Sequence, residues 1–129
     1  MNPIVLYCVA ALGLLLFSLG PVISALRGRS GQFIGNETDP SNTLHKWVRA
    51  HGNTAEYAPF LAILMLWLGA HNPAPWVVWT MIAATVARYL HVAGMILPST
   101  MNKPNVLRFA GAAGTYVTGP ILCAALFLG

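Results

Sequence analysis

Apolar residues along this chain fall into four long runs separated by short polar breaks. The runs extend from about Pro3 to Leu26, Leu44 to Gly69, Pro75 to Leu97 and Pro104 to Leu128. Each is long enough to cross a bilayer, which takes about 20 predominantly apolar residues in helical form. The breaks carry the expected punctuation. Asn2-Pro3 suits a helix start, Asn36-Glu37-Thr38-Asp39-Pro40-Ser41-Asn42 is rich in turn formers, and Asn72-Pro73-Ala74-Pro75, Pro98 and Pro104 bound the later runs. Pro21, Pro59 and Pro120 fall inside runs, where each removes a backbone hydrogen bond and predicts a kink. The pattern predicts an all-α membrane protein, a four-transmembrane-helix bundle forming a single domain over residues 1–129.

Composition agrees with that picture. The chain has 129 residues, 57% apolar and 8% charged, against about 25% charged in a soluble domain. The net charge of +4 is not packed into one basic run or interleaved with aromatics, so no nucleic-acid partner is indicated. Cys8 and Cys123 lie in apolar segments without metal-ligand spacing and read as small packing residues. The N-terminal run lacks a basic flank and a small-residue cleavage site, so it reads as the first span rather than a signal peptide. Arg27, Arg29, Lys46 and Arg49 flank loop one, and Lys103 and Arg108 flank loop three, whereas loop two has neither Lys nor Arg. The positive-inside rule then puts loops one and three in the cytoplasm and both termini outside. The short loops suit a minimal bacterial form in the inner membrane.

Against this apolar background one polar stripe stands out. Arg49, Asn53 and Glu56 occupy positions i, i+4 and i+7 of span two, within an arc of about 60° on a helix. Ionisable residues at membrane depth are expensive and suggest a site; the plainer alternative is an interhelical ion pair that holds the bundle together. Arg88 and His91 share a face of span three, and Arg108 opens span four. Asn53 and Arg88 each lie roughly 13 Å below the cytoplasmic end of their span, so they can meet. The expectation is a polar cavity open to the cytoplasm, lined by Arg49, Asn53, Glu56, Arg88, His91 and Arg108. Arginines bind carboxylates in bidentate fashion and Glu56 can take an amine, which suits a small zwitterion. Nearby cations would favour the thiolate of a ligand carrying a thiol. His91 also fits a structural histidine, and His45, His51 and His71 fit solvated interface residues. No metal motif, Ser-His-Asp constellation or phosphate loop is present.

Arg49-x-x-x-Asn53-x-x-Glu56-Tyr57, followed by Pro59-Phe60, resembles the second-helix motif of the MAPEG family, the membrane-associated proteins in eicosanoid and glutathione metabolism. Arg88-x-x-His91 resembles the third-helix R-x-x-H of that family's prostaglandin synthases. The resemblance covers the whole chain. It implies a homotrimer of four-helix protomers, with glutathione as co-substrate bound between subunits on the cytoplasmic side. By position, Arg49, Asn53, Glu56, Tyr57, Arg88 and His91 would bind glutathione, and Arg108 would be the catalytic residue that stabilises its thiolate. Arg27 or Arg29 would match a first-helix arginine. Met95 and Ala112 stand where the family's eicosanoid enzymes carry hydroxyl-bearing aromatics, with Tyr116 one turn beyond Ala112. These departures argue against a dedicated eicosanoid synthase.

The function expected is an integral-membrane glutathione-dependent transferase or peroxidase. Its partners would be glutathione, membrane lipid and a lipophilic small molecule from the bilayer. Two alternatives stay open: a small transporter with Glu56 as coupling residue, and a non-catalytic membrane scaffold that uses the small-residue face of span four, Ala110, Gly111, Gly114, Thr118 and Gly119.

Overall fold

The computed structural model describes residues 1–128 as four helices: α1 (Pro3–Ser30), α2 (Thr43–Ala70), α3 (Pro75–Ile96) and α4 (Val106–Leu128). Local chemistry sets their ends. The Asn2 side chain accepts from the Ile4 amide ahead of Pro3, and Asn42 caps α2 by accepting from the His45 amide. Asn105 does the same for the Arg108 amide at 3.1 Å, so α4 begins at Val106 rather than at Pro104. The α1 helix continues beyond Leu26 to Ser30, and Gly31 ends it at φ 70°, a left-handed conformation that glycine adopts without steric cost. The helices run unbroken through Pro21, Pro59 and Pro120.

Three helices, α1, α3 and α4, are long and apolar enough to cross a membrane. The α2 helix is as long as α1, at 28 residues, yet falls short on apolarity. Its first half holds Lys46, Arg49, Asn53 and Glu56, so only its second half, from Phe60 onward, is continuously apolar. The outer surface is apolar as well. Leu14, Phe17, Phe60, Ile63, Trp79 and Phe127 are all exposed, as suits a lipid-facing bundle.

The closest packing is between α3 and α4, followed by α1 with α2; α2 and α4 touch only lightly, and among the described residues α1 and α4 are not in contact. Glycine makes the α3–α4 contact possible. A Cβ at Gly94 would lie 2.1 Å from the Arg108 backbone nitrogen, and one at Gly111 would lie 2.3 Å from that of His91. Small residues on α4 thus serve packing within the chain, while Gly119 faces open space. Two apolar clusters fill the interior. One gathers Val5, Leu12, Leu61, Met65, Met81 and Leu122, and the other Leu15, Leu19, Ala50, Val92 and Met95. Cys8 packs in the first cluster, whereas Cys123 is exposed on α4 and is no core residue.

Loops one and three are tied together at one end of the bundle. The Met101 amide donates to the Pro40 carbonyl at 2.9 Å. Lys46, a buried lysine, donates to the Pro98 carbonyl at 2.8 Å. Lys46→Met keeps the aliphatic stem and removes the charged donor, at a cost of about 1.5–3 kcal/mol. Hydrogen exchange at Met101 is expected to accelerate in this variant, and unchanged exchange there would show that Lys46 does not hold the loop.

Candidate functional site

Arg88 is the centre of the polar stratum between the two apolar clusters. It is the largest fully buried side chain, 1% exposed. A buried guanidinium demands partners, and two neighbouring helices, α2 and α4, supply them. One Nη donates to the Asn53 side-chain oxygen on α2. The other donates to the Thr115 hydroxyl on α4 at 3.2 Å. The guanidinium also lies over the Tyr57 ring, 5.1 Å from its centroid, a cation–π contact. The bundle is therefore joined at this level by a cation and neutral partners rather than by an ion pair. Thr115 can accept from Arg88 because its own proton goes to the Gly111 carbonyl at 2.8 Å. Arg88 Nε and His91 Nδ1 are buried without a partner, and buried groups of that kind call for an explanation.

The remaining candidates lie around this centre in two cavities. Glu56 is exposed on α2, and with Tyr57, Thr115 and Tyr116 it borders a cavity of about 600 Å³ between α2 and α4. Tyr57 and Tyr116 meet edge to face, ring centroids 6.2 Å apart. Beyond them the lining is apolar, with Phe60, Leu61 and Leu64 from α2 and Gly119, Pro120 and Cys123 from α4. His91, which is buried, borders a second cavity of about 540 Å³ with Lys103, Asn105, Arg108 and Ala112. Arg108 is half-buried there, and its Nη groups donate to the Met101 and Lys103 carbonyls at 2.9 and 3.0 Å. Arg49 borders neither cavity and is exposed one turn before Asn53. The structure thus joins Asn53, Tyr57 and Arg88 directly, sets Glu56 and Arg108 in separate cavities, and leaves Arg49 on the open face of α2. Among the described residues, no cluster of three or more His, Cys, Asp or Glu side chains could hold a metal.

Thr115 is the partner of Arg88 that the sequence pattern alone does not single out, although the signal is present. Counting nine residues inward found Asn53 and Arg88. The same count along α4 lands on Thr115 when the helix starts at Val106, and on Ala113 when it is started at Pro104.

Chemically, the arrangement offers opposite charges at the surface and a desolvated cation behind them. On α2, Arg49 and Glu56 sit within about 20° of each other and about 10.5 Å apart along the axis. Comparison with known proteins adds a family. The model of the MAPEG family matches residues 5–128, nearly the whole chain. No curated protein and no solved structure matches it.

Proposed function

The chain belongs to the MAPEG family, and from that premise we propose that it is an integral-membrane glutathione-dependent transferase or peroxidase. Its second substrate would be a lipophilic electrophile or hydroperoxide drawn from the bilayer. The family is one of glutathione-related membrane proteins, and the specific activity is our reading. The observation that carries it is the exposed Arg49–Glu56 pair on one face of α2, backed by buried Arg88. Glutathione is three residues long, about 10 Å when extended, with carboxylates at both ends and an amine at one. It matches that pair in length and in charge.

In this reading Arg49 takes a carboxylate and Glu56 the amine, Asn53 and Tyr57 lie between them on α2, and Arg88 behind them and His91 beside Arg108 complete the glutathione-binding set. Arg88 Nε and His91 Nδ1 are groups that a polar ligand would satisfy. Arg108 is the catalytic residue. Both its Nη groups already hold loop-three carbonyls, so it would lend the sulfur positive charge rather than a free Nη donor. A nearby cation lowers a thiol's pKa and raises the thiolate fraction. In the transferase reaction the thiolate sulfur bonds to the electrophilic carbon, and the displaced electron pair leaves with the leaving group or takes up a proton. The α2 helix is then the fourth span, loops one and three face the cytoplasm of a bacterial cell, and a homotrimer covers the open α2 face.

Calorimetric titration with glutathione, beside an Arg49→Ala variant, tests the reading. A charge-assisted hydrogen bond is worth about 1.5–3 kcal/mol, so Kd is expected to rise at least tenfold in the variant. Equal binding in both proteins would overturn the α2 site. Bound glutathione without thiolate absorbance would leave a binding protein, not an enzyme.

A further inference from the structure

At the loop-one and loop-three end of the bundle, three cations grip backbone carbonyls. Arg27 Nη1 donates to the Gln32 and Gly35 carbonyls of loop one at 3.1 and 2.6 Å. Lys46 Nζ donates to the Pro98 carbonyl of loop three at 2.8 Å. Arg108 donates to the Met101 and Lys103 carbonyls of that same loop. Lys46 is the least expected of the three. It stands near the start of α2, 8% exposed, where the positive end of the helix dipole opposes a cation. A buried charge in such a place is costly, so what it holds matters.

Loop three runs from Leu97 to Asn105. Inside it the Asn102 amide donates to the Thr100 hydroxyl at 3.1 Å; its other ties lead outward to α2, loop one and α4. They converge on Met101. Its amide donates to the Pro40 carbonyl, its carbonyl accepts from Arg108, and its side chain packs with Trp47 against the second apolar cluster. The Arg108 backbone is fixed separately. It lies against α3 at Gly94, where a Cβ would come within 2.1 Å of its nitrogen, and Asn105 caps its amide. What loop three governs is therefore the side chain, because the guanidinium sits where two loop carbonyls hold it.

We propose that Lys46 is a positioning residue for Arg108: through the Pro98 carbonyl it fixes loop three, and loop three fixes the guanidinium that acts on the glutathione sulfur. The proposal rests on the glutathione reading, in which Arg108 lends the sulfur positive charge. A unit charge that drifts from about 4 to about 6 Å from a thiolate gives up about one pKa unit at an effective dielectric of about 20. A cation used in this way works only when it is held in place beforehand. Lys46 itself touches no reacting atom and is none of the residues assigned to glutathione.

The first test follows the thiolate absorbance of bound glutathione against pH. In Lys46→Met the apparent pKa of the thiol is expected to rise by about one unit, so the thiolate fraction at a fixed lower pH falls about tenfold. The Kd for glutathione should stay within about twofold, since no ligand contact is lost. Lys46→Arg keeps a charged donor that can reach the Pro98 carbonyl and should restore the parent profile. In an Arg108→Met background, Lys46→Met should leave the profile unmoved. A shift that persists there would mean that the lysine acts on the sulfur by its own charge, and would overturn the proposal. A parent-like profile in Lys46→Met would overturn it too, as would a loss of binding large enough to account for the missing thiolate.

A second measurement needs no glutathione. Phenylglyoxal modifies free guanidinium groups, and its reaction with Arg108 is followed by mass spectrometry beside that of exposed Arg29. The rate at Arg108 relative to Arg29 is expected to rise about threefold or more in Lys46→Met, the scale of one loosened hydrogen bond, and to return in Lys46→Arg. Equal relative rates in parent and variant would overturn the tie. If Lys46→Met does not fold, Lys46→Gln, whose shorter side chain falls short of Pro98, takes its place in both assays. Faster modification of Arg108 in a variant whose parent binds no glutathione would sink the glutathione reading and leave the tie from Lys46 to Arg108 standing.

Discussion

Replacing Gly94 by alanine is expected to prevent native packing of α3 on α4 and to remove most of the folded protein. A Cβ at Gly94 would lie 2.1 Å from the Arg108 backbone nitrogen and 2.6 Å from its Cα. No rotamer change relieves a clash with backbone, so the helices must separate. Gly111→Ala meets the same obstacle, 2.3 Å from the His91 nitrogen and 2.6 Å from the Ala87 carbonyl oxygen. Overpacking a well-filled interface costs about 1–3 kcal/mol and occasionally more, and forced helix separation belongs at the upper end. It would also pull Thr115 away from Arg88 and leave a buried cation short of a partner. Gly114→Ala, which would touch only the Ala87 Cβ at 2.8 Å, should fall between these and a control. The control is Gly20→Ala, where the added carbon meets nothing within 4 Å and alanine is favoured in a helix by roughly 0.5–1 kcal/mol. The expected order of thermal stability in detergent is Gly20→Ala, then Gly114→Ala, then Gly111→Ala and Gly94→Ala. A Gly94→Ala protein as stable as Gly20→Ala would show that the α3–α4 contact is looser than described.

Runs of apolar residues between prolines and asparagines were enough to read four helices, although only α1, α3 and α4 are apolar enough along their length to cross a membrane. Their ends were less legible, since a cap depends on one side chain. Asn105 moved the start of α4 by two residues, and that small shift hid Thr115. Depth-matching brought Asn53 and Arg88 together because antiparallel neighbouring helices rise at the same roughly 1.5 Å per residue and so share a ruler. The same reasoning could not show that Arg88 would be sheltered by Tyr57, or that Arg108 would spend its Nη donors on loop-three carbonyls. Those contacts depend on helix rotation, which periodicity leaves open when nearly every face is apolar. Cys123 is a case of the same limit. In an apolar run it reads as core, yet α4 turns it outward onto the larger cavity.

Asn53→Leu is expected to destabilise the protein by about 2–3 kcal/mol, because a charge-assisted acceptor disappears from a buried guanidinium. Arg88 Nε already lacks a partner, so the loss of Asn53 would leave a second donor of the same buried cation unsatisfied. Arg88→Met should cost less, roughly 1 kcal/mol. It removes the cation, Thr115 keeps its bond to the Gly111 carbonyl, and Asn53 is half-buried rather than enclosed. The double variant should then be more stable than Asn53→Leu alone, a coupling of at least about 1.5 kcal/mol in a double-mutant cycle. Strictly additive losses would mean that the Arg88–Asn53 contact carries no energy. The comparison also separates structure from function. Replacing a buried polar group and its partner by apolar residues is often neutral or stabilising, so a bundle has no need of Arg88 for its own sake. If the double variant folds as well as the parent and no longer binds glutathione, the polar stratum is maintained for the ligand. If it folds as well and still binds, Arg88 is a tie between helices and the recognition lies with Arg49 and Glu56 on the open face of α2.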